Sequence, residues 1–160
     1  MATYIFFWNP AISSVTKERY LDEYKDGFDN WSIFEHEDVK EDDKFYMVRC
    51  GEGNVGIVAM GTIISEAYED VDWSPKGRKP IYYVDLDTYV NINPFATDKL
   101  LTPDVLTKEI PDFNWYGGHS GRLLKDSDAE KLDKLFESYL RQNVQIIRDG
   151  YAWNDWFGIE

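Results

Sequence analysis

The chain has 160 residues, 43% of them hydrophobic and 16% aromatic, enough to bury one substantial core without disulfides or a structural metal. Its 30 acidic residues against 17 lysines and arginines leave a formal charge of -13, a field that repels DNA, RNA and anionic lipid at long range and argues against broad, non-specific nucleic-acid binding. A single cysteine, Cys50, excludes an internal disulfide and suits a reducing compartment, and no stretch approaches the roughly eighteen apolar residues that cross a bilayer.

Met1 to Pro10 lacks the basic start and long apolar run of a signal peptide, so a soluble, cytoplasmic protein with no membrane partner is expected. Tyr4 to Trp8 is an aromatic and β-branched run stopped by Asn9-Pro10, a first strand. Val15 to Tyr24 suits a helix capped by Ser14, with Tyr20, Leu21 and Tyr24 on one side and Gly27 as its stop. Trp31, Ile33 and Phe34 then interrupt an otherwise acidic region that runs on into Glu35, Glu37, Asp38, Glu41, Asp42 and Asp43 and reads as a solvated loop. Lys44 to Cys50 is a strand in which Cys50 reads as a buried thiol rather than a nucleophile. Gly51-Glu52-Gly53-Asn54 is a turn, and Val55 to Ser65, carrying Gly56 and Gly61, completes a hairpin.

Pro75, Gly77 and three basic residues mark Tyr68 to Pro80 as a loop. Ile81 to Val90 alternates, with Tyr82, Val84 and Leu86 on one face and Asp85 and Asp87 on the other, as a strand does. Thr102-Pro103 caps and opens a short helix to Glu109, and Phe113 to Leu124 is a loop rich in aromatics and glycine. Ser127 with Glu130 forms a capping-box pair for a final helix, whose stripe of Leu132, Leu135, Phe136, Tyr139 and Leu140 must pack on the sheet. Val144 to Arg148 suits one more strand, and Tyr151 to Trp156 an aromatic tail folded back on the body. With no repeat and no linker, residues 1–160 read as one α+β domain: a small mixed β-barrel with flanking helices.

Chemistry-bearing patterns are scarce. His36 and His119 are far apart, and HExxH, EF-hand, phosphate-loop and dinucleotide motifs are missing, so neither a metal nor a cofactor is expected. Ser120 beside His119 is a slender basis for a hydrolytic site. Charge is uneven: residues 1–72 sum to -10, 126–160 to -4, and 73–125 to +1. That middle segment is where a phosphate meets the least repulsion, with Arg78, Lys79, Arg122 and Lys125 either available to it or merely balancing nearby acids.

Six tryptophans include Trp8, Trp31, Trp73 and Trp115, each close to a loop or a strand end. They serve either as core residues or as walls of a flat pocket that stacks a planar ring. Asn9, Ser13 and Ser120 are candidate readers of the ring's polar edge, and Gly117, Gly118 and Gly121 would let the backbone approach it.

Trp8-Asn9-Pro10 with Ser13, the acidic turn into Lys44-Phe45-Tyr46, Val55-Gly56-Ile57-Val58 with Gly61, and Ala67-Tyr68 before Trp73 together resemble the EVE domain of the PUA-like superfamily, which also includes YTH and ASCH domains. The resemblance covers roughly residues 4–90, and the Trp115 to Leu124 loop with the final helix looks like the rest of such a barrel. It implies a pocket for a flipped, often modified base, with Trp8 and Asn9 at its mouth and Trp31 as a wall. Trp115 and Ser120 join that set from composition and spacing, with Arg78, Lys79 and Arg122 positioning phosphate. The expectation is therefore a binding module rather than an enzyme, reading a modified or unpaired base in nucleic acid. Two alternatives stand beside it: an interaction or assembly module whose acidic face docks a basic protein, and an ASCH-like enzyme acting on a nucleotide or small amide through His119.

Overall fold

The computed structural model describes residues 1–143 and the backbone of residues 152–154. The strand expected over Val144 to Arg148, and the expected tail apart from those three residues, lie outside the described residues.

Four buried strands make the centre. β1 (Thr3–Trp8) and β3 (Lys44–Arg49) are buried at every position, so both of their faces are covered, which explains why their sequences run apolar instead of alternating. They pair in parallel, Thr3 opposite Lys44 through Trp8 opposite Arg49, and the chain between them supplies the crossover that parallel neighbours need. That crossover holds α1 (Lys17–Glu23) and β2 (Asn30–Ser32). β3 and β4 (Gly56–Ile63) form the expected hairpin, and β4 pairs antiparallel with the long β6 (Ile81–Ile92). Gly61 lies where the β4–β6 register shifts, and a Cβ there would meet the Asp87 carbonyl oxygen at 2.0 Å, so only glycine lets the two strands approach.

β6 also carries β2, β5 (Tyr68–Asp70) and β8 (Ala152–Asn154) as antiparallel partners, while β7 (Arg122–Leu124) borders β1. The main order is β2-β6-β4-β3-β1-β7. The sheet curls until its two ends meet: just past β2, the Phe34 and Glu35 N–H groups donate to the Ser120 and Gly121 carbonyls just before β7, at 2.8 and 2.9 Å. Gly121 has φ +84°, and a Cβ on it would sit 2.5 Å from the Ile33 Cα, so this seam requires glycine. The result is a mixed α+β fold, a curled half-barrel with α1, α2 (Pro103–Glu109) and α3 (Asp126–Gln142) packed against it. α3 buries Leu132, Phe136 and Leu140, with Phe136 edge-on to Tyr46.

Several local expectations are corrected. α1 starts two residues late, because the Thr16 hydroxyl, not Ser14, accepts the Arg19 N–H. α2 begins as expected, with Thr102 accepting from Val105. α3 has no Ser127 cap: the chain turns straight from β7 into the helix at Lys125, leaving Ser127 inside the first turn beside Asp126 and Asp128, which face the helix's positive end. Three segments read as loops hold the short strands β2, β5 and β7, each added to an existing strand by pairing that local composition does not encode.

Candidate functional site

The site begins where β7 stops accompanying β1. Their pairing covers only Thr3 to Ile5, and Gly121 N–H closes it on the Ile5 carbonyl at 2.8 Å. Two residues further, the peptide groups of Phe7 are taken by side chains: the Ser120 hydroxyl accepts the Phe7 N–H at 2.9 Å, and the Trp31 indole N–H donates to the Phe7 carbonyl at 3.1 Å. Buried main-chain groups must be partnered, so this opening of the sheet fixes both side chains in place. A cavity of about 720 Å³ lies there, within the range of small-ligand sites.

Its aromatic wall combines Trp31, half-buried and edge-on to Phe28 at 5.3 Å, with Trp73, Tyr68 and Tyr116. Trp73 is 63% exposed and belongs to the loop after β5. Asp72 holds that loop together. Its carboxylate, only 2% exposed, accepts from the Arg78 main chain and guanidinium and from the Ser74 main chain and hydroxyl. Arg78 above all, with Ser74, holds the Asp72 carboxyl well below the usual carboxylate range despite its burial. The Tyr83 hydroxyl adds a further tie, accepting from Trp73 N–H and donating to the Val71 carbonyl.

Around the end of β1 the lining turns polar. Asn9 accepts the Ala11 N–H through Oδ1 at 3.1 Å, and Ser13 Oγ accepts the Val15 N–H at 3.0 Å. Cys50 is half-buried here instead of sealed in the core as expected, because the strand ends beside the cavity, and burial pushes its thiol up so that it stays protonated. Three cations, Arg19, Lys76 and Arg78, line the cavity against two carboxylates, Asp70 and Asp72, and with Glu23 on Arg19 the charges balance locally in a chain of -13. Arg19 is paired with Glu23 at 2.7 Å and Arg78 with Asp72.

Of the residues singled out from sequence, Asn9, Ser13, Trp31, Ser120 and Arg78 meet at this cavity, together with Gly117 and Gly118. Trp8 and Trp115 do not: both are fully buried, their indole N–H groups donating to the Val15 and Ile110 carbonyls at 2.8 and 3.0 Å. Strand alternation explains Trp8, since Phe7 faces the cavity and its neighbour must face the other way, onto Tyr20, Phe28 and Phe95. Arg122 stands on β7 beside Glu35 at 3.7 Å, and it and Lys79 lie outside the cavity lining. His119 lines the cavity stacked on Phe34, ring centres 3.9 Å apart. Tyr116 and Lys76 are lining residues that sequence reasoning did not assign to the site, and Tyr68 and Trp73 were noted there without being assigned to it. Their shared signal is an aromatic or basic residue in a Gly/Pro or acidic loop, without an apolar pattern to bury it.

Among the described residues, no group of three or more His, Cys, Asp or Glu is placed to hold a metal, and no helix is long and apolar enough to cross a membrane. No protein-family model and no curated protein matches the chain. Among solved structures, a hypothetical protein from Leishmania major is similar, with a TM-score of 0.55 and 12% identity over 89% of this chain and 98% of that one. At that identity the likeness is one of fold, extending over nearly the whole of both chains.

Proposed function

We propose that the chain is a binding module that takes a planar base of a nucleic acid, modified or unpaired, into the cavity at the end of β1, on an EVE-like barrel of the PUA-like superfamily. The observation that carries this reading is that Trp31 and Trp73 border one cavity of about 720 Å³ where cations and carboxylates balance, in contrast to the chain as a whole. Ring stacking contributes about 1–3 kcal/mol per base and is indifferent to the protein's overall charge, so it supplies affinity that the -13 field denies to phosphate contacts. Extracting a base from a duplex costs a few kcal/mol, least for one already unpaired or damaged, which favours single strands and modified positions. Ser120 and Asn9 read the edge of the ring, and Arg78 and Lys76 lie nearest any phosphate.

The test is fluorescence anisotropy at low salt with matched single-stranded oligonucleotides, modified and unmodified. Tighter binding of a modified strand, weakened about tenfold by Trp73→Ala or Trp31→Ala, is the expected result. Absence of binding to every strand overturns the proposal.

A second reading, an acidic face that docks a basic protein, is favoured by one observation. Asp126, Glu130, Asp133 and Glu137 of α3 line a groove of about 480 Å³ beside Lys44 and Lys134, four carboxylates to two cations. It is tested by salt-dependent capture of a basic protein, and is lost if Asp126→Asn with Glu130→Gln leaves capture unchanged.

A further inference from the structure

Resting on the reading that the cavity takes a base, we infer that it takes two adjacent bases of one strand, the first on Trp31 and the second on Trp73 and Tyr68, at stations on opposite faces of the sheet. The register of β6 separates the two. β2 and β5 flank the same stretch of β6, and residues directly opposite one another in antiparallel strands share a face. Trp31 lies opposite Val84, which is fully buried, and its ring meets buried Phe28 edge-on at 5.3 Å, so it belongs to the inner face. One residue on, Ser32, Tyr83 and Tyr68 lie abreast on the other face. Tyr68 stacks on Tyr83 with ring centres 6.4 Å apart and donates its hydroxyl to Asp85, two residues along β6 and so on that same face. The Tyr83 hydroxyl accepts the Trp73 N–H at 3.2 Å, which sets the Trp73 main chain beside it.

The cavity reaches both faces. Asn30, Trp31 and Ser32 all line it, and successive strand residues point opposite ways, so it wraps the edge of β2 where the sheet opens toward Phe7. A single flat ring stacked on Trp31 has the β2 backbone between it and the face that carries Tyr68. The volume agrees: about 720 Å³ falls in the range that encloses drug-sized molecules, about 300–1,000 Å³, and a lone base leaves much of it empty. Neighbouring bases of an unpaired strand splay apart and stack on separate aromatic side chains, an arrangement that fills both stations.

Fluorescence anisotropy of the full chain with short DNA strands of equal length tests this, each strand abasic except for one adenine, two adjacent adenines or three. Phosphate number is then constant, so any gain comes from the rings. The second adenine is expected to tighten binding about tenfold and the third to add little. In Trp73→Ala the two-base strand is expected to bind no tighter than the one-base strand. A second base that adds nothing, a third that adds as much again, or a gain that survives Trp73→Ala overturns the inference and leaves base binding standing. No binding of any strand overturns the base-binding reading and this inference together.

Discussion

Trp8 and Trp73 carry the same side chain to opposite ends. Trp8 is enclosed by Tyr20, Phe28 and Phe95, and truncating an indole so surrounded opens a void, so Trp8→Ala is expected to cost about 3–5 kcal/mol in denaturant unfolding. Trp73 is 63% exposed, and its tie to Tyr83 runs through the main chain, which alanine retains. Trp73→Ala is expected to change stability by no more than about 0.5 kcal/mol while lowering ring binding, and a large stability loss would show that the residue belongs to the core. Trp31 combines the two roles, its indole N–H spent on the Phe7 carbonyl and its ring bordering the cavity. Its replacement is expected to weaken both stability and binding.

At the scale of elements, the site depends on two segments, the seam between β2 and β7 and the loop after β5. The seam between β2 and β7 rests on two main-chain hydrogen bonds and on Gly121, so Gly121→Ala, strained at φ +84° and pressed on Ile33, is expected to lower stability by about 1–3 kcal/mol in denaturant titration. The loop that presents Trp73 depends on Asp72. Its carboxyl titrates below the ordinary value of 3.8 when folded, so the stability it contributes is complete above about pH 4 and is lost as the pH falls below it. Protease cleavage of this loop is expected to rise on acidification, and Asp72→Asn should reproduce the acid behaviour at neutral pH. Equal cleavage of the two proteins at every pH would refute that role.

For the whole molecule, charge and burial give two further expectations. Of the cations at the cavity, Arg19 and Arg78 are already paired within the protein, so oligonucleotide binding should depend weakly on salt. A log–log slope no steeper than about -2 follows from one to three phosphate contacts on a single strand. Tyr4 and Tyr139 are both pushed from an ordinary 10.0 up to about 12, by burial first and at Tyr4 also by Asp43. A raised folded value means that their contribution is whole below about pH 10 and disappears as the pH climbs through about 12. Loss of circular dichroism together with phenolate absorbance across that interval is the expected signature, and retention of the folded signal beyond it would contradict it.

Local patterns revealed the principal elements: the aromatic run of β1, the β3–β4 hairpin, the alternation of β6, the Thr102-Pro103 start of α2 and the apolar stripe of α3 all follow from which residues shun water and how often they recur. They also bounded the chemistry, since one cysteine and two histidines limit metal and nucleophilic sites whatever the fold. Tertiary structure alone decided which tryptophans face a cavity, because that depends on strand parity at Trp8 and on a loop tied by Asp72 at Trp73. It likewise brought Asn9, Trp31 and Ser120 together, from separate parts of the chain, on the two sides of one opening in the sheet. Periodicity describes neighbours along the chain, whereas a site is made by neighbours across it, and those are chosen by pairing and packing.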